Sequence, residues 1–250
     1  MNECGMTIDI MTLFPDMIDS VMRASVIGKA QMRGLVRIQA TNIREYSPTY
    51  NRRTDDYPYG GGKGLVMLAE PLYLCHEALC EKAGGHVHTV LMSAQGRRFD
   101  QDVARELLQR RHIIVVCGHY EGVDERFIEE CVDEEISLGD FVVTGGEIPA
   151  MAVADCICRM VPGVLSDEVC FTDESHWDGL LEYPQYTRPE EWRGRRVPDI
   201  LLSGHHVNIE KWRRRQSLLR TLTRRPALLQ KARLSVADEL LLEDIAEKGE

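Results

Sequence analysis

The sequence lacks the features of membrane, secreted and metal-binding proteins. No apolar run approaches about 18 residues, and Glu3 and Asp9 lie where a secretion signal would carry a basic cluster and an apolar stretch. The eight cysteines form no Cys-x-x-Cys pair and share no regular spacing with the eight histidines, which disfavours a zinc site or a disulfide framework. Internal repeats and low-complexity tracts are absent as well. We expect a soluble, cytoplasmic protein whose reduced thiols behave as small apolar groups.

The chain as a whole also lacks the positive charge that is typical of nucleic-acid-binding proteins, since its net charge is −10. The charge is unevenly distributed, however. Residues 188–225 contain eleven lysines and arginines against four acidic residues, a local net charge of +7 that leaves −17 for the rest of the chain. Such a segment indicates polyanion binding or, alternatively, a solvated helix face. Aromatic residues in this region favour an RNA with unpaired bases: Tyr183, Tyr186, Trp192 and Trp212.

Length and periodicity predict an α/β domain followed by a helical one. A chain of 250 residues is long enough for one or two domains. Short β-branched runs predict strands at residues 7–13, 35–40, 89–93, 113–117 and 141–144. Helical periodicity predicts helices at residues 16–31, 101–111, around 127–131, and at 149–159, 208–223 and 237–246. We therefore expect a parallel-sheet domain at 1–165, a linker without regular structure at 166–187 and a small all-helical domain at 188–250.

Three glycine-rich segments are candidates for ligand binding. Residues 57–64 contain a Gly-Gly-Gly-Lys-Gly run, but Tyr57 and Gly64 stand where a Walker loop needs glycine and a hydroxyl residue. This segment is either a flexible surface loop or a substrate-handling loop. Residues 118–126 and 138–147 lie next to predicted strands, and parallel sheets bind ligands at the carboxyl ends of their strands. These two segments predict a small-ligand pocket, with tight turns as the alternative.

Carboxylates and one arginine are candidates for acid-base chemistry. Asp173, Glu174 and Asp178 lie in the predicted linker. A general base must lie within hydrogen-bond reach of the proton that it removes, and spacing alone does not show this. A solvated acidic turn is therefore the alternative interpretation. Arg159 ends a predicted helix, where the helix dipole favours a cation.

Six segments of the chain carry a resemblance to a known family. They are Leu13-Phe14-Pro15, Asp55 to Gly62, Cys117 to Arg126, Gly139 to Glu147, Tyr186-Thr187-Arg188-Pro189 and Leu201-Leu202-Ser203-Gly204. In content and order these segments resemble the TrmD family, the bacterial tRNA (guanine-N1)-methyltransferases. The resemblance extends from about Met6 to Leu229.

The resemblance implies a fold and a reaction that periodicity does not reveal. The fold is a SPOUT-type α/β sheet with a deep trefoil knot, a topology that general rules disfavour. The family is a homodimer with active sites at the subunit interface. It uses S-adenosyl-L-methionine as methyl donor and depends on Mg²⁺, for which the sequence indicates no site. The substrate is tRNA, bound through its anticodon stem-loop and methylated at N1 of guanine 37 when a guanine precedes it.

The donor-binding loops of the family correspond to three segments of this chain. The implied donor-binding residues are Leu91, Met92, Ser93, Ala94, Gly118, Tyr120, Glu121, Gly122, Leu138, Gly139, Asp140, Phe141, Val142, Val143, Gly145, Gly146 and Pro149. Backbone groups of Gly118 and of residues 138–143 would contact the donor. A sulfonium methyl group is already activated, so these residues mainly have to position it.

The general base of the family is an aspartate in the linker, fifteen residues after an arginine that stabilises charge on the guanine carbonyl oxygen. Counted from Arg159, this position is Glu174, so the chain departs from the family pattern. Ser175 and residues 179–181 stay in register, which favours Glu174 over Asp173 as the base. This departure keeps open two alternatives to a guanine-N1 methyltransferase. One is an RNA-binding SPOUT protein without this catalysis, and the other is a SPOUT methyltransferase that acts on another nucleotide, such as a ribose methyltransferase.

Overall fold

The computed structural model describes residues 4–248, which form two compact units, residues 4–168 and residues 169–248. The first unit contains most of the regular structure. Its strands are β1 (Met6–Thr12), β2 (Val36–Asn42), β3 (Asp55–Asp56), β4 (Val66–Met67), β5 (His88–Arg98), β6 (His112–Cys117) and β7 (Glu134–Ser137). Its α-helices are α1 (Pro15–Met22), α2 (Ser25–Met32), α3 (Ala69–Ala83), α4 (Gln101–Gln109), α5 (Glu125–Cys131) and α6 (Glu147–Cys158). The division into 1–165, a linker at 166–187 and 188–250 stays a prediction.

Five strands form the central sheet in the order β2-β1-β6-β5-β7, and every neighbouring pair is parallel. Ile8 lies opposite Ile38 of β2 and Ile113 of β6, which fixes the register at the centre. Residues 113–117 are fully buried because β6 has a strand on each side and helices on both faces. The predicted α/β fold with a mostly parallel sheet is confirmed.

One face of the sheet packs against α3 and α5. The buried cluster there consists of Met11, Leu13, Ile43, Met67, Leu72, Cys75, Leu79, Val87, Leu91, Ile114, Val116, Phe127 and Cys131. Burial raises the pKa of the Cys75 thiol to about 12 and that of Cys131 to about 11, so both are neutral near pH 7. All eight cysteines of the chain lie in the described region as free thiols, as predicted.

The helix predicted at residues 16–31 is in fact two helices. The break lies at Arg23 and Ala24, and Ser25 begins α2 with a positive φ of 53°. The sequence prediction also missed α3, the longest helix of this unit. Three of its buried residues, Leu72, Cys75 and Leu79, follow the helical i, i+3, i+7 spacing, so the signal was present in the sequence.

The strand predicted at residues 141–144 is wrong. The strand that joins the sheet is β7, which ends at Ser137, and residues 138–146 form a loop. Ser137 Oγ donates to the carbonyl of Gly139 (3.0 Å) and accepts from its N–H (3.1 Å), which closes a turn and ends the ladder. The β-branched residues that suggested a strand are exposed instead, Val142 by 85%.

The second unit contains α7 (Val169–Thr172), α8 (Asp199–Leu202), α9 (His206–Arg224) and α10 (Val236–Lys248). Both long helices that the sequence predicts are confirmed. Leu180, Leu218 and Ile245 form the buried core of this unit. A small hairpin, β8 (Glu191–Trp192) paired with β9 (Arg195–Arg196), means that the unit is not all-helical. Arg193 and Gly194 form its turn with positive φ, the conformation that matches the twist of two antiparallel strands.

An ion-pair network joins α9 and α10 of the second unit. Arg214 donates to both carboxylate oxygens of Asp238 (2.8 and 3.0 Å) and to Asp178 (2.5 Å). The hydrogen bonds from Arg214 lower the pKa of Asp238 to about 2. In residues 4–248 no helix is long and apolar enough to span a membrane.

Candidate functional site

A cavity of about 290 Å³ lies at the carboxyl ends of β6 and β7 and beside residues 91–95 in the middle of β5, the strand between them in the sheet. The loops that follow β6 and β7 complete its wall, as expected for a ligand site in a parallel sheet. It is lined by fifteen of the residues that the resemblance implies: Leu91, Met92, Ser93, Ala94, Gly118, Tyr120, Glu121, Gly122, Leu138, Phe141, Val142, Val143, Gly145, Gly146 and Pro149. Gly139 and Asp140 belong to the same loop but do not line the cavity.

Further lining residues were missed by the sequence analysis. They are Gln95, His119, Val123, Glu125, Ile128, Glu135, Ile136, Ser137 and Thr144. Gln95, His119, Val123 and Thr144 lie between or directly beside residues that were identified, and Glu125 and Ile128 belong to α5. Glu135, Ile136 and Ser137 were missed for a different reason: they belong to β7, which the periodicity placed at residues 141–144.

The loop after β7 crosses directly over the end of β6. Gly146 N donates to the carbonyl of Gly118 (2.9 Å), which joins the two glycine-rich segments. A Cβ atom at Gly146 would lie 2.5 Å from Cys117 Cα and 2.8 Å from Gly118 N, both backbone atoms that lack freedom to move aside. Glycine is therefore required at position 146 for the two loops to approach this closely.

A buried carboxylate also links these loops. Glu147, only 2% exposed, accepts a hydrogen bond from Thr12 Oγ1 (2.5 Å) and lies 2.6 Å from His119 Nε2. The ring of Phe14 packs against the His119 ring with centroids 5.1 Å apart. The end of β1, the loop after β6 and the start of α6 are thus joined behind the cavity wall.

The glycine-rich segment at residues 57–64 lies next to the loop that follows β6, one of the two loops that line the cavity. Just after this segment, the carbonyl of Leu65 accepts from Glu121 N (2.9 Å), and Met67 N donates to the carbonyl of Gly122 (2.9 Å). Tyr57 and Tyr59 within the segment are 77% and 99% exposed. This placement favours a substrate-handling loop over an unrelated surface loop.

The candidate acid-base residues lie in different units. Arg159 is the C-terminal cap of α6 in the first unit and is half-buried. In the second unit Asp173 is exposed and Glu174 half-buried, and both line a small cavity of about 170 Å³ with Arg213 and Arg214. The third carboxylate of the cluster, Asp178, binds Arg214 and its Oδ1 accepts from Leu180 N (3.1 Å), which is a structural role.

The basic segment divides into paired and unpaired cations. Arg196, Arg213, Arg214 and Arg215 form ion pairs within the second unit. Seven other cations of the segment have no acidic partner within 4.0 Å in residues 4–248: Arg188, Arg193, Arg195, Lys211, Arg220, Arg224 and Arg225. Their charge is therefore available to a polyanion.

In residues 4–248 no three His, Cys, Asp or Glu side chains converge as a metal-binding group.

The family profile and the similar curated proteins all carry the same enzyme name. The sequence profile described as "tRNA (Guanine-1)-methyltransferase TrmD" matches residues 6–231. A curated tRNA (guanine-N(1)-)-methyltransferase of Ruminiclostridium cellulolyticum is 53% identical over 226 residues, 90% of this chain and 97% of that protein. Proteins of the same name from Desulforudis audaxviator and Halalkalibacterium halodurans are 54% and 49% identical. The alignments cover 97% and 98% of this chain, and 97% and 100% of those proteins.

Proposed function

The chain belongs to the TrmD family of tRNA (guanine-1)-methyltransferases, and from this premise we propose that it transfers a methyl group from S-adenosyl-L-methionine to N1 of guanine 37 in tRNA. The main support for the proposal is the cavity between the middle of β5 and the ends of β6 and β7, which brings together fifteen of the donor-binding residues implied by the family resemblance. The preceding nucleotide in the preferred substrate is a guanine. The site of action is the cytoplasm, where tRNA is modified.

The residues around the cavity fit the proposed donor. The wall combines apolar side chains such as Leu91 and Val143 with close-packed backbone at Gly118 and Gly146, which suits a flat adenine ring and a compact methionine group. When bound, S-adenosyl-L-methionine supplies an activated methyl group. Residues 91–95 of β5 and the loops after β6 and β7 orient it and exclude water, and the hydrogen bond between Gly146 and Gly118 keeps the two loops in place.

The acceptor nitrogen carries a proton and becomes nucleophilic only when that proton leaves. In our proposal the carboxylate of Glu174 accepts the proton from N1, and the guanidinium of Arg159 stabilises negative charge on the neighbouring guanine carbonyl oxygen. The half-buried position of Glu174, against the exposed Asp173, supports this choice of base. Glutamate is one methylene longer than the family's aspartate, a difference that a linker can accommodate.

The family also implies a deep trefoil knot and a homodimer with the active sites at the subunit interface. The sheet order supports a crossover near the cavity, because the chain leaves β6 on one side of β5 and returns as β7 on the other. Exposed apolar residues support a second copy of the chain as partner: Phe14, Met17 and Val21 at α1, and Val142 beside the cavity.

Mg²⁺ dependence is part of the proposal. Among the described residues no three His, Cys, Asp or Glu side chains converge as a metal-binding group, so the proposed reaction gives the ion no role in methyl transfer.

The test is methyl transfer from labelled donor to a tRNA transcript with guanines at positions 36 and 37. We expect incorporation at N1 of guanine 37, and little with a matched transcript that has adenine at position 36. RNA binding without a donor-dependent methylated product would favour the first alternative, an RNA-binding SPOUT protein that lacks this catalysis. Product on a ribose, at a rate insensitive to both Asp173 and Glu174, would favour a different methyltransferase.

A further inference from the structure

A second cavity, of about 590 Å³, lies wholly within residues 169–248, the unit that carries the local positive charge. Tyr183, Tyr186 and Trp212 line it together with Arg188 and Arg213. We call this cavity the aromatic cleft. None of its residues takes part in the donor cavity or in the proposed proton transfer.

The aromatic residues of the cleft are not used to build the core of the unit, which is formed by Leu180, Leu218 and Ile245. Tyr186 is 48% exposed. The rings of Tyr186 and Trp212 are 6.4 Å apart between centroids and inclined by 50°. At this inclination the two rings do not cover each other, so aromatic faces remain available to a flat ligand.

Cations flank the aromatic cleft. The Arg213 guanidinium lies 4.9 Å from the centroid of the Tyr183 ring, and Arg188 has no acidic partner in the described region. Arg213, Arg220 and Arg224 follow an i, i+7, i+11 spacing in α9, which places them on one face of the helix. Arg213 is itself paired with Glu210, whereas Arg220 and Arg224 have no acidic partner in residues 4–248, so the positive charge that can follow a phosphate backbone along this face is that of Arg220 and Arg224.

We propose that the aromatic cleft binds an unpaired nucleotide of the RNA substrate other than the methylated guanine. The base stacks against Tyr186 and Trp212, and the backbone phosphate lies beside Arg188. Flat aromatic faces next to Arg188, a cation without an acidic partner in the described region, fit a nucleotide better than an aliphatic or acidic peptide ligand, which would leave the stacking surface unused. This inference rests on the proposed function for the identity of the RNA, and it adds a binding site that the reaction itself does not require.

The experiment measures binding of the full-length protein to a fluorescein-labelled tRNA transcript with guanines at positions 36 and 37. We expect Tyr186→Leu to raise the Kd about fivefold or more, the effect of removing one stacking ring, and Tyr186→Phe to restore the affinity because the ring face is kept. Tyr73→Leu is the matched control, since Tyr73 is a partly exposed tyrosine of α3 in the other unit; its Kd should change less than twofold. If Tyr186→Leu lowers the melting temperature, Arg188→Gln at an exposed position takes its place, with the same expected loss.

The outcomes separate this inference from the proposed function. Methyl transfer by the parent protein together with an unchanged Kd for Tyr186→Leu and Arg188→Gln would overturn the cleft inference alone. Absence of methyl transfer together with weaker RNA binding by these variants would overturn the proposed function and support the cleft inference. A changed oligomeric mass of Tyr186→Leu with unchanged RNA affinity would identify the cleft as a contact between copies of the chain, which also overturns the inference.

Discussion

His119 and Glu147 form a hydrogen-bonded pair, 2.6 Å from Nε2 to Oε2, across the two glycine-rich loops that surround the proposed donor cavity. They are 28 residues apart in the sequence, and Glu147 is almost fully buried. A carboxylate in this position is stable only while its hydrogen-bond partners remain in place. The pair therefore links the shape of the cavity to the stability of the first unit.

We expect the His119–Glu147 pair to be strongly coupled. In a double-mutant cycle with His119→Ala and Glu147→Ala, the coupling free energy should be about 1–3 kcal/mol by urea unfolding, because His119→Ala leaves the buried Glu147 carboxylate with Thr12 but without its His119 partner, and Glu147→Ala leaves the half-buried His119 ring without the carboxylate. Each single variant should also weaken donor binding in calorimetry. The control is the exposed pair Arg97–Glu106, whose coupling should be clearly smaller because both charges are solvated. Equal coupling in the two cycles would contradict this role for the buried pair.

Gly146 and Gly118 both line the proposed donor site, but an added methyl group would meet backbone atoms only at Gly146 at less than normal contact distance. Gly146→Ala should lower stability by about 1–3 kcal/mol and abolish donor binding, since the new Cβ would meet the backbone of Cys117. Gly118→Ala adds the same methyl group at ordinary contact distance, 3.6 Å from Met92 O. It should therefore keep the parent melting temperature. Thermal unfolding and calorimetry with the donor measure both effects, and a stable Gly146→Ala variant that binds donor normally would argue against the loop contact.

Glu174 is expected to be the general base. Glu174→Ala should lower the single-turnover rate of methyl transfer by about 10²–10⁴-fold while the affinity for donor stays near that of the parent. Asp173→Ala should retain most of the rate, and Glu174→Asp should recover part of it because aspartate restores the family's own residue type. A large loss in Asp173→Ala with little loss in Glu174→Ala would transfer the role to Asp173.

The unpaired arginines of α9 should contribute to salt-dependent RNA binding. Arg224→Gln should reduce the slope of log Kd against log salt concentration by about 0.7–0.9, the amount expected for one lost phosphate contact. The comparison is Arg97→Gln on β5, which exchanges a surface arginine that already has an acidic partner and should leave the slope unchanged. Titrations at several salt concentrations give both slopes; an effect on affinity that does not vary with salt would exclude a phosphate contact.

Asp238 should make the second unit sensitive to acid. Its pKa is lowered in the folded state to about 2, from an ordinary value of 3.8, so its ion pair with Arg214 is present above about pH 4 and is lost as the pH falls through 2. The parent should be more stable than Asp238→Asn by about 2 kcal/mol near pH 7, and the difference should shrink between pH 4 and pH 2. Asp19→Asn, at an exposed ion pair with Arg23, should change stability by less than about 1 kcal/mol at neutral pH. A constant difference across this pH range for Asp238→Asn would contradict the role of the carboxylate charge.

Sequence patterns predicted which loops surround the cavity of the first unit more accurately than they predicted the strand that borders it. Glycine-rich segments with a family motif identify loops directly. Most of the donor-binding residues that the resemblance implies lie in or beside these loops and line the cavity. The error at residues 141–144 arose because Phe141, Val142 and Val143 have high strand propensity, and propensity does not reveal that Ser137 closes a turn just before them. Gly139 and Asp140 lie in the correct loop, but which residues of a loop face its cavity depends on backbone dihedrals.

The sequence by itself determined the α/β class, the family, the position of the cavity loops and the location of the positive charge, because each depends on residues that are close together in the chain. Only the tertiary structure decided which strands are neighbours, which cations are neutralised by Asp178, Asp238 and Asp244, and which aromatic residues share a cleft. It also brought Thr12 to Glu147, which is 135 residues further along the chain. Contacts over such separations depend on the packing of whole helices and strands, and local patterns do not encode that packing.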